Sequence, residues 1–263
     1  MKKNNVILPV ILFPLMFVAG CDFTIMSNSG SREEYREPFA FTKSTAECSE
    51  LSISNINGNI TVIGVDDLTE VQISGSKIVR DESVEETKRH IGDIKIEIVE
   101  SATMLAIKTS HPNSTGGRMY QVDYEIQVPS SWKLTVSNVN GNVTILNIKN
   151  TTKATITNGT LEARDIRGNV DGDVTNGTIN AKVYLPENGS CVLGTLNGTI
   201  GFLVPRSVSA AAAATATNGT VWVSNLPLVL SSSSRTSISG TLGDGKGTIR
   251  LSTLNGTVQL TGF

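Results

Sequence analysis

The residues closest to a catalytic set are Arg164, Asp165, Arg167, Asp171 and Asp173, all within one short stretch of the chain. On a parallel β-helix, carboxylates and an arginine sharing one outer face can hold Ca²⁺ and abstract a sugar proton, so this stretch defines an enzyme alternative, a polysaccharide lyase or hydrolase. The plainer reading of Asp171-Gly172-Asp173 is a solvated turn, and Phe, Trp and Tyr together make up only 5% of the chain, which leaves little to stack a sugar. His90 and His111 have no second histidine at ligand spacing, so structural or surface roles are expected for both. Cys48 and Cys191 are far apart in sequence, and spacing leaves their pairing open, with two buried, apolar thiols the preferred reading. A Gly-x-Ser-x-Gly elbow, a phosphate loop and a dinucleotide fingerprint are all missing from the sequence. These observations favour a non-enzymatic chain without metal or cofactor.

The chain has 263 residues, with 22 Lys plus Arg against 24 Asp plus Glu, so it lacks the basic excess of a nucleic-acid partner. Only 17% of its residues are charged, against about 25% in a typical soluble chain. Apolar residues make up 39%, enough to build a core, which small β-branched side chains must fill because aromatics are scarce.

The amino terminus reads Met1-Lys2-Lys3, then an apolar run from Val6 to Val18, then Val18-Ala19-Gly20-Cys21. A bilayer span needs about 20 apolar residues, so the run is a secretory signal rather than an anchor. The Cys after this small-residue triplet resembles the bacterial lipoprotein box. That resemblance implies removal of residues 1–20 and acylation of Cys21, palmitate-type chains contributing about 0.8 kcal/mol per buried methylene. The bilayer is then a partner through Cys21, and the chain lies outside the cytoplasm at the cell envelope. Residues 21–40 are polar and mixed in charge, and are expected to form a flexible tether before a domain over 41–263.

That domain is organised by a repeated dipeptide. Asn-Gly occurs at Asn57-Gly58, Asn140-Gly141, Asn158-Gly159, Asn176-Gly177, Asn197-Gly198, Asn218-Gly219 and Asn255-Gly256, with Asn188-Gly189 set aside as off-period. Each is followed by Thr or Asn and then an aliphatic residue, as in Gly198-Thr199-Ile200. Asn-Gly accepts positive φ and makes a tight corner, and the alternation after it sends every second side chain to one face. Meander hairpins would recur about every 8–12 residues, whereas the regular intervals over 136–263 are about 18–21, the length of one coil of a single-stranded β-solenoid. Six coils at about 4.8 Å spacing predict a rod of roughly 25–30 Å. In it Thr160, Thr178, Thr199 and Thr220 would form one ladder, and Leu161, Ile179, Ile200 and Val221 an inward one.

Four further expectations follow. The long gap between Asn218 and Asn255 is filled by a degenerate coil with its corner at Ser239-Gly240. Ile56, Val139, Leu196 and Leu254 lie directly before Asn whereas Ile156, Val174 and Ala216 lie one place earlier, so strand facing is expected to differ between coils. The Ala210–Ala214 run is read as small inward residues on a strand. Ending at Phe263 just after a strand, the sequence predicts an uncapped carboxy-terminal coil through which copies could self-associate. Over 41–135 the period lapses. Ser83-Val84-Glu85-Glu86 is a capping box that starts a short helix, and alternating strands follow it at 94–98, 104–107 and 122–129.

Three stretches together resemble the bacterial putative-adhesin (toastrack) domains of envelope-stress operons. They are Ser54-Asn55-Ile56-Asn57-Gly58-Asn59-Ile60; Tyr124-Glu125-Ile126-Gln127-Val128-Pro129 leading to Asn138-Val139-Asn140-Gly141-Asn142; and Gly240-Thr241-Leu242 leading to Leu254-Asn255-Gly256-Thr257. The resemblance covers about residues 45–263. It implies a β-helical, non-enzymatic module carried on membrane proteins or lipoproteins and associated with adhesion or stress sensing, with an envelope protein or polysaccharide as partner and no established ligand residues.

Overall fold

A computed structural model describes residues 32–45, 47–113 and 116–263; the signal segment and Cys21 lie outside them. Among the described residues the chain is all-β with one short helix. The strands are β1 (Glu33–Ser44), β2 (Glu50–Asn57), β3 (Ile60–Val65), β4 (Glu70–Asp81), β5 (Lys95–Ser101), β6 (Met104–Ser110), β7 (Met119–Pro129) and β8 (Lys133–Asn140). They continue as β9 (Val143–Leu146), β10 (Thr152–Ile166), β11 (Val170–Val183), β12 (Ser190–Val204), β13 (Ala210–Ser224), β14 (Val229–Ser233), β15 (Ser237–Leu242) and β16 (Gly247–Gly262). All sixteen belong to one large, mostly open sheet.

The centre of that sheet is parallel and in register at the Asn-Gly pairs. Asn57 aligns with Asn140, Asn140 with Asn158, Asn158 with Asn176, Asn176 with Asn197, Asn197 with Asn255, and Asn255 with Asn218. In β10 to β13 and β16 a single strand runs through the corner. In the two earlier repeats the corner separates β2 from β3 and β8 from β9. Buried positions switch parity at the corner: in β10 they are Thr152, Ala154 and Ile156 before it, and Leu161, Ala163 and Ile166 after it. Both arms therefore face one continuous core, of which these aliphatic residues are part.

The inward ladder has the expected members, with one insertion. Leu161, Ile179, Ile200 and Val221 are all buried, and Val258 stands between Ile200 and Val221. The cause is the strand order β12-β16-β13, in which the last strand pairs on both sides. Two expectations are corrected by this order. Ser239-Gly240 is not a corner: it lies in β15, which pairs antiparallel with the first arm of β13 and with β14. Gly240 lacks a side chain there because a Cβ would collide with the Val229 carbonyl. Nor is the carboxy-terminal strand an uncapped end, since the edge of the sheet has moved to β14.

Strand facing is also corrected. The position two before each corner asparagine points inward in every repeat, including those occupied by Asn55, Asn138, Thr195 and Thr253. Polar side chains are tolerated there because the corner leaves backbone carbonyls to satisfy. Asn55 Nδ2 donates to Val122 O (3.0 Å), Asn138 Nδ2 to Gly58 O (2.9 Å) and Thr253 Oγ1 to Gly198 O (3.3 Å). Val139, Leu196 and Leu254 are consequently turned outward and exposed.

The flexible tether expected through residue 40 gives way at Glu33 to β1, paired with β4 along its whole length. Tyr35 and Phe39 alternate onto the core, and Phe39 meets Tyr124 edge-on at 5.5 Å. The helix, α1 (Val84–His90), starts where the capping box places it, with Ser83 Oγ accepting from Glu86 N–H at 3.3 Å. It continues into a 3₁₀ turn at Ile91–Asp93 and packs on β1 and β4. Ala210, Ala212, Ala214 and Ala216 are buried on a strand, as expected of that run.

Candidate functional site

The corners form a ridge along the outside of the sheet. Corner asparagines are exposed, apart from the half-buried Asn57, and their amides join into one hydrogen-bonded chain. Asn218 Nδ2 donates to Asn255 Oδ1 (2.9 Å), Asn255 to Asn197 (2.7 Å), Asn197 to Asn176 (2.8 Å), Asn176 to Asn158 (3.0 Å), Asn158 to Asn140 (2.8 Å) and Asn140 to Asn57 (2.7 Å). Asn57 Nδ2 ends the chain on the Tyr120 carbonyl at 3.0 Å. That carbonyl can only accept, so it fixes the polarity of every amide above it. The glycines that follow (Gly58, Gly141, Gly159, Gly177, Gly198, Gly219 and Gly256) pack so closely that a Cβ at each would overlap a neighbouring carbonyl.

Beside the asparagines runs the threonine row, in the spatial order Thr160, Thr178, Thr199, Thr257, Thr220. Two residues further along the second arm, a row of outward positions reads Glu162, Asn180, Gly201, Gln259, Trp222. Trp222 is 62% exposed, and its Nε1–H donates to Thr220 Oγ1 at 3.3 Å, which orients the indole along its own strand. The register places Gln259 beside it and Gly201, without a side chain, one strand further on. The sequence reading missed this residue, although the alternation that sends Val221 inward also sends Trp222 outward.

One cleft lies at an end of the ridge, and another lies away from it, among the loops between β11 and β12, β12 and β13, and β15 and β16. The first, of about 430 Å³, lies where the asparagine chain ends and is lined by Asn57, Asn140, Arg80, His111, Arg118 and Gln121 among others. His111 stacks on Tyr120 with centroids 5.2 Å apart, which gives it a structural role. The arginine charges are matched, Arg80 by Glu34 and Arg118 by Asp81. The other cleft, of about 370 Å³, is bounded by Tyr184, Pro186, Pro205, Asp244 and Lys246. At its margin Arg167 lies 4.1 Å over the Tyr184 ring and Tyr184 meets Phe263 edge-on at 5.4 Å.

The proposed catalytic set is not brought together. Asp165 and Asp171 lie on opposite sides of a corner, each tied to its own lysine: Asp165 to Lys182 at 3.0 Å and Asp171 to Lys153 at 3.1 Å. Arg164 is turned to Glu162 and Arg167 to Tyr184. Asp173 shares the outer face of β11 with Asp171, and its carboxyl is held above the ordinary value by burial and, secondarily, by Asp171. Among the described residues, no three His, Cys, Asp or Glu side chains are grouped to hold a metal ion. His90 is held by Asp93 at 2.7 Å. Cys48 and Cys191 are both free thiols, but only Cys191 is buried as expected, which pushes its pKa upward; Cys48 is half-buried.

No known family model matches the sequence, and no curated protein matches it. Solved structures that align with this chain include a putative cell adhesion protein from Clostridium sporogenes, 13% identical, with a TM-score of 0.40 over 86% of this chain and 100% of that one. A putative adhesin from Bacteroides fragilis is 10% identical, with a TM-score of 0.39 over 86% of this chain and 97% of that one.

Proposed function

We propose that the chain is a non-enzymatic, adhesin-like binding module of the bacterial envelope, held there by lipid on Cys21, and that its corner ridge binds a neutral glycan. In this reading each strand folded at Asn-Gly is one coil of a single-stranded β-solenoid, and the asparagine chain stiffens the ridge. The observation that carries the proposal is Trp222. An indole with 62% exposure, oriented by its own strand, with an amide beside it and a side-chain-free glycine one strand beyond, suits the apolar face of a pyranose ring. Gln259 beside it, Asn180 further along the row and the nearby Thr220 and Thr257 supply uncharged donors and acceptors, and the one charge of the row, Glu162, is paired with Arg164, so the partner is a sugar without an ionised group.

Trp132 is buried and Trp222 exposed, so intrinsic fluorescence separates the two tryptophans. Titration with chitohexaose and cellohexaose should shift the emission of the full chain and leave the W222A variant unchanged. A full chain whose emission does not move with either oligosaccharide at millimolar concentration refutes the glycan reading.

A further inference from the structure

Among the described residues, three strands are paired along one side only, β1, β5 and β14, whereas the second arm of β13 has β16 on one side and the Arg235 carbonyl against Val221 N–H on the other. Each of the three presents a row of unpaired backbone groups, a template for another strand, and natural edges are blunted by charge or proline. β1 carries Glu33, Glu34, Arg36, Glu37 and Lys43, and Pro38 removes an N–H from the middle of it. β5 carries Lys95, Glu97 and Glu100. β14 is different. Its five residues, Val229-Leu230-Ser231-Ser232-Ser233, include no charge and no proline, and all of them are exposed. Val229 is 72% exposed and Leu230 56%. On its inner side the strand pairs with β15 with a register shift between Leu230 and Ser232, and Gly240 lets the two backbones approach closely.

We infer that β14 is a docking strand through which two copies of this chain pair edge to edge, antiparallel, extending the sheet across a two-fold axis. Charge selects the partner. Of the three edges, β14 alone meets its own copy with neither charge nor proline in the seam, and its Val, Leu and Ser side chains are self-complementary. Pairing β14 of one copy with β1 or β5 of another would leave an open chain of copies and place Pro38 or several charges against an uncharged strand. The two-fold contact instead closes at two copies. A five-residue strand pair buries less than the roughly 1,200 Å² of a stable interface, so the dimer is transient in dilute solution. It would gain strength where copies are held at high local concentration.

The test is sedimentation equilibrium of the purified full chain from about 10 μM to about 1 mM, a range that covers weak association. A monomer–dimer equilibrium that stops at two is expected. L230K should weaken dimerisation at least tenfold by setting like charges against each other, and an equimolar mixture of L230K and L230E should restore association. Leu230 is exposed, so both variants should keep the parent's circular dichroism and melting temperature, which separates lost association from lost folding. A full chain that stays monomeric throughout, assemblies larger than two, or L230K dimerising as the parent does would each overturn the inference.

Discussion

Replacing Gly177 by alanine tests the close stacking of the corners. Its φ is +148°, a conformation open essentially to glycine alone, and forcing another residue there costs of order 1–3 kcal/mol. The new Cβ would also lie far inside contact distance of the Gly159 carbonyl oxygen, so the two strands must part locally. Parting them displaces Asn176 from its two amide partners, lengthening the bond to Asn158 (3.0 Å) and misaligning the one from Asn197 (2.8 Å). Each such bond contributes about 0.5–1.5 kcal/mol net. The sum, about 2–6 kcal/mol, is a large part of a domain stability of about 5–15 kcal/mol. With a urea slope of about 3 kcal/mol per molar, the upper end expected for a domain of this size, G177A should lower the unfolding midpoint by about 0.7–2 M. N176A keeps the glycine and loses only the two amide bonds, so about 1–3 kcal/mol is expected of it. G92A is the control. Gly92 has nothing within 4 Å of a built Cβ, and its substitution should change stability by no more than about 1 kcal/mol. A midpoint for G177A indistinguishable from that of G92A would refute the stacking argument.

Three shorter predictions follow from single groups. S83A removes the side-chain acceptor of the Glu86 N–H and should cost about 1 kcal/mol, read as faster hydrogen exchange across α1 with little change in the sheet. Burial raises the Asp173 carboxyl above its unfolded value, so the stability tied to its protonated form is present below the ordinary carboxylate range and lost as pH rises through the folded value. D173N should therefore raise the melting temperature at pH 7 and leave it unchanged at pH 3; equal effects at both would contradict the assignment. Iodoacetamide should modify Cys48 in the native protein and spare Cys191 until denaturant is added, as mass spectrometry of the peptides would show.

Much of the local structure was legible from residue type. Asn-Gly determines where the chain can turn with positive φ, and Ser83 followed by Glu86 determines where a helix can start, because both are settled within a few bonds. The tether was read too long for a non-local reason. Residues 33–40 look polar taken alone, yet β1 is stabilised by pairing with β4, whose position no stretch of β1 encodes. The facing of the strands before each corner was misread for a similar reason. Asn55, Asn138, Thr195 and Thr253 look like surface residues until the neighbouring strands bring carbonyls for three of them to satisfy.

By itself, then, the sequence determined an all-β chain with a recurring corner, a small aliphatic ladder behind it and a polar row in front. Those features follow from backbone sterics and the two-residue period of a strand, which act locally. Tertiary structure alone decided the order of the strands, with β16 seated between β12 and β13, and so decided which strand is the edge. Parallel pairing matches β16 equally well to any strand with the same Asn-Gly register. The β14–β15 hairpin on the first arm of β13 settles the choice, because it leaves the other side of β13 for the returning chain.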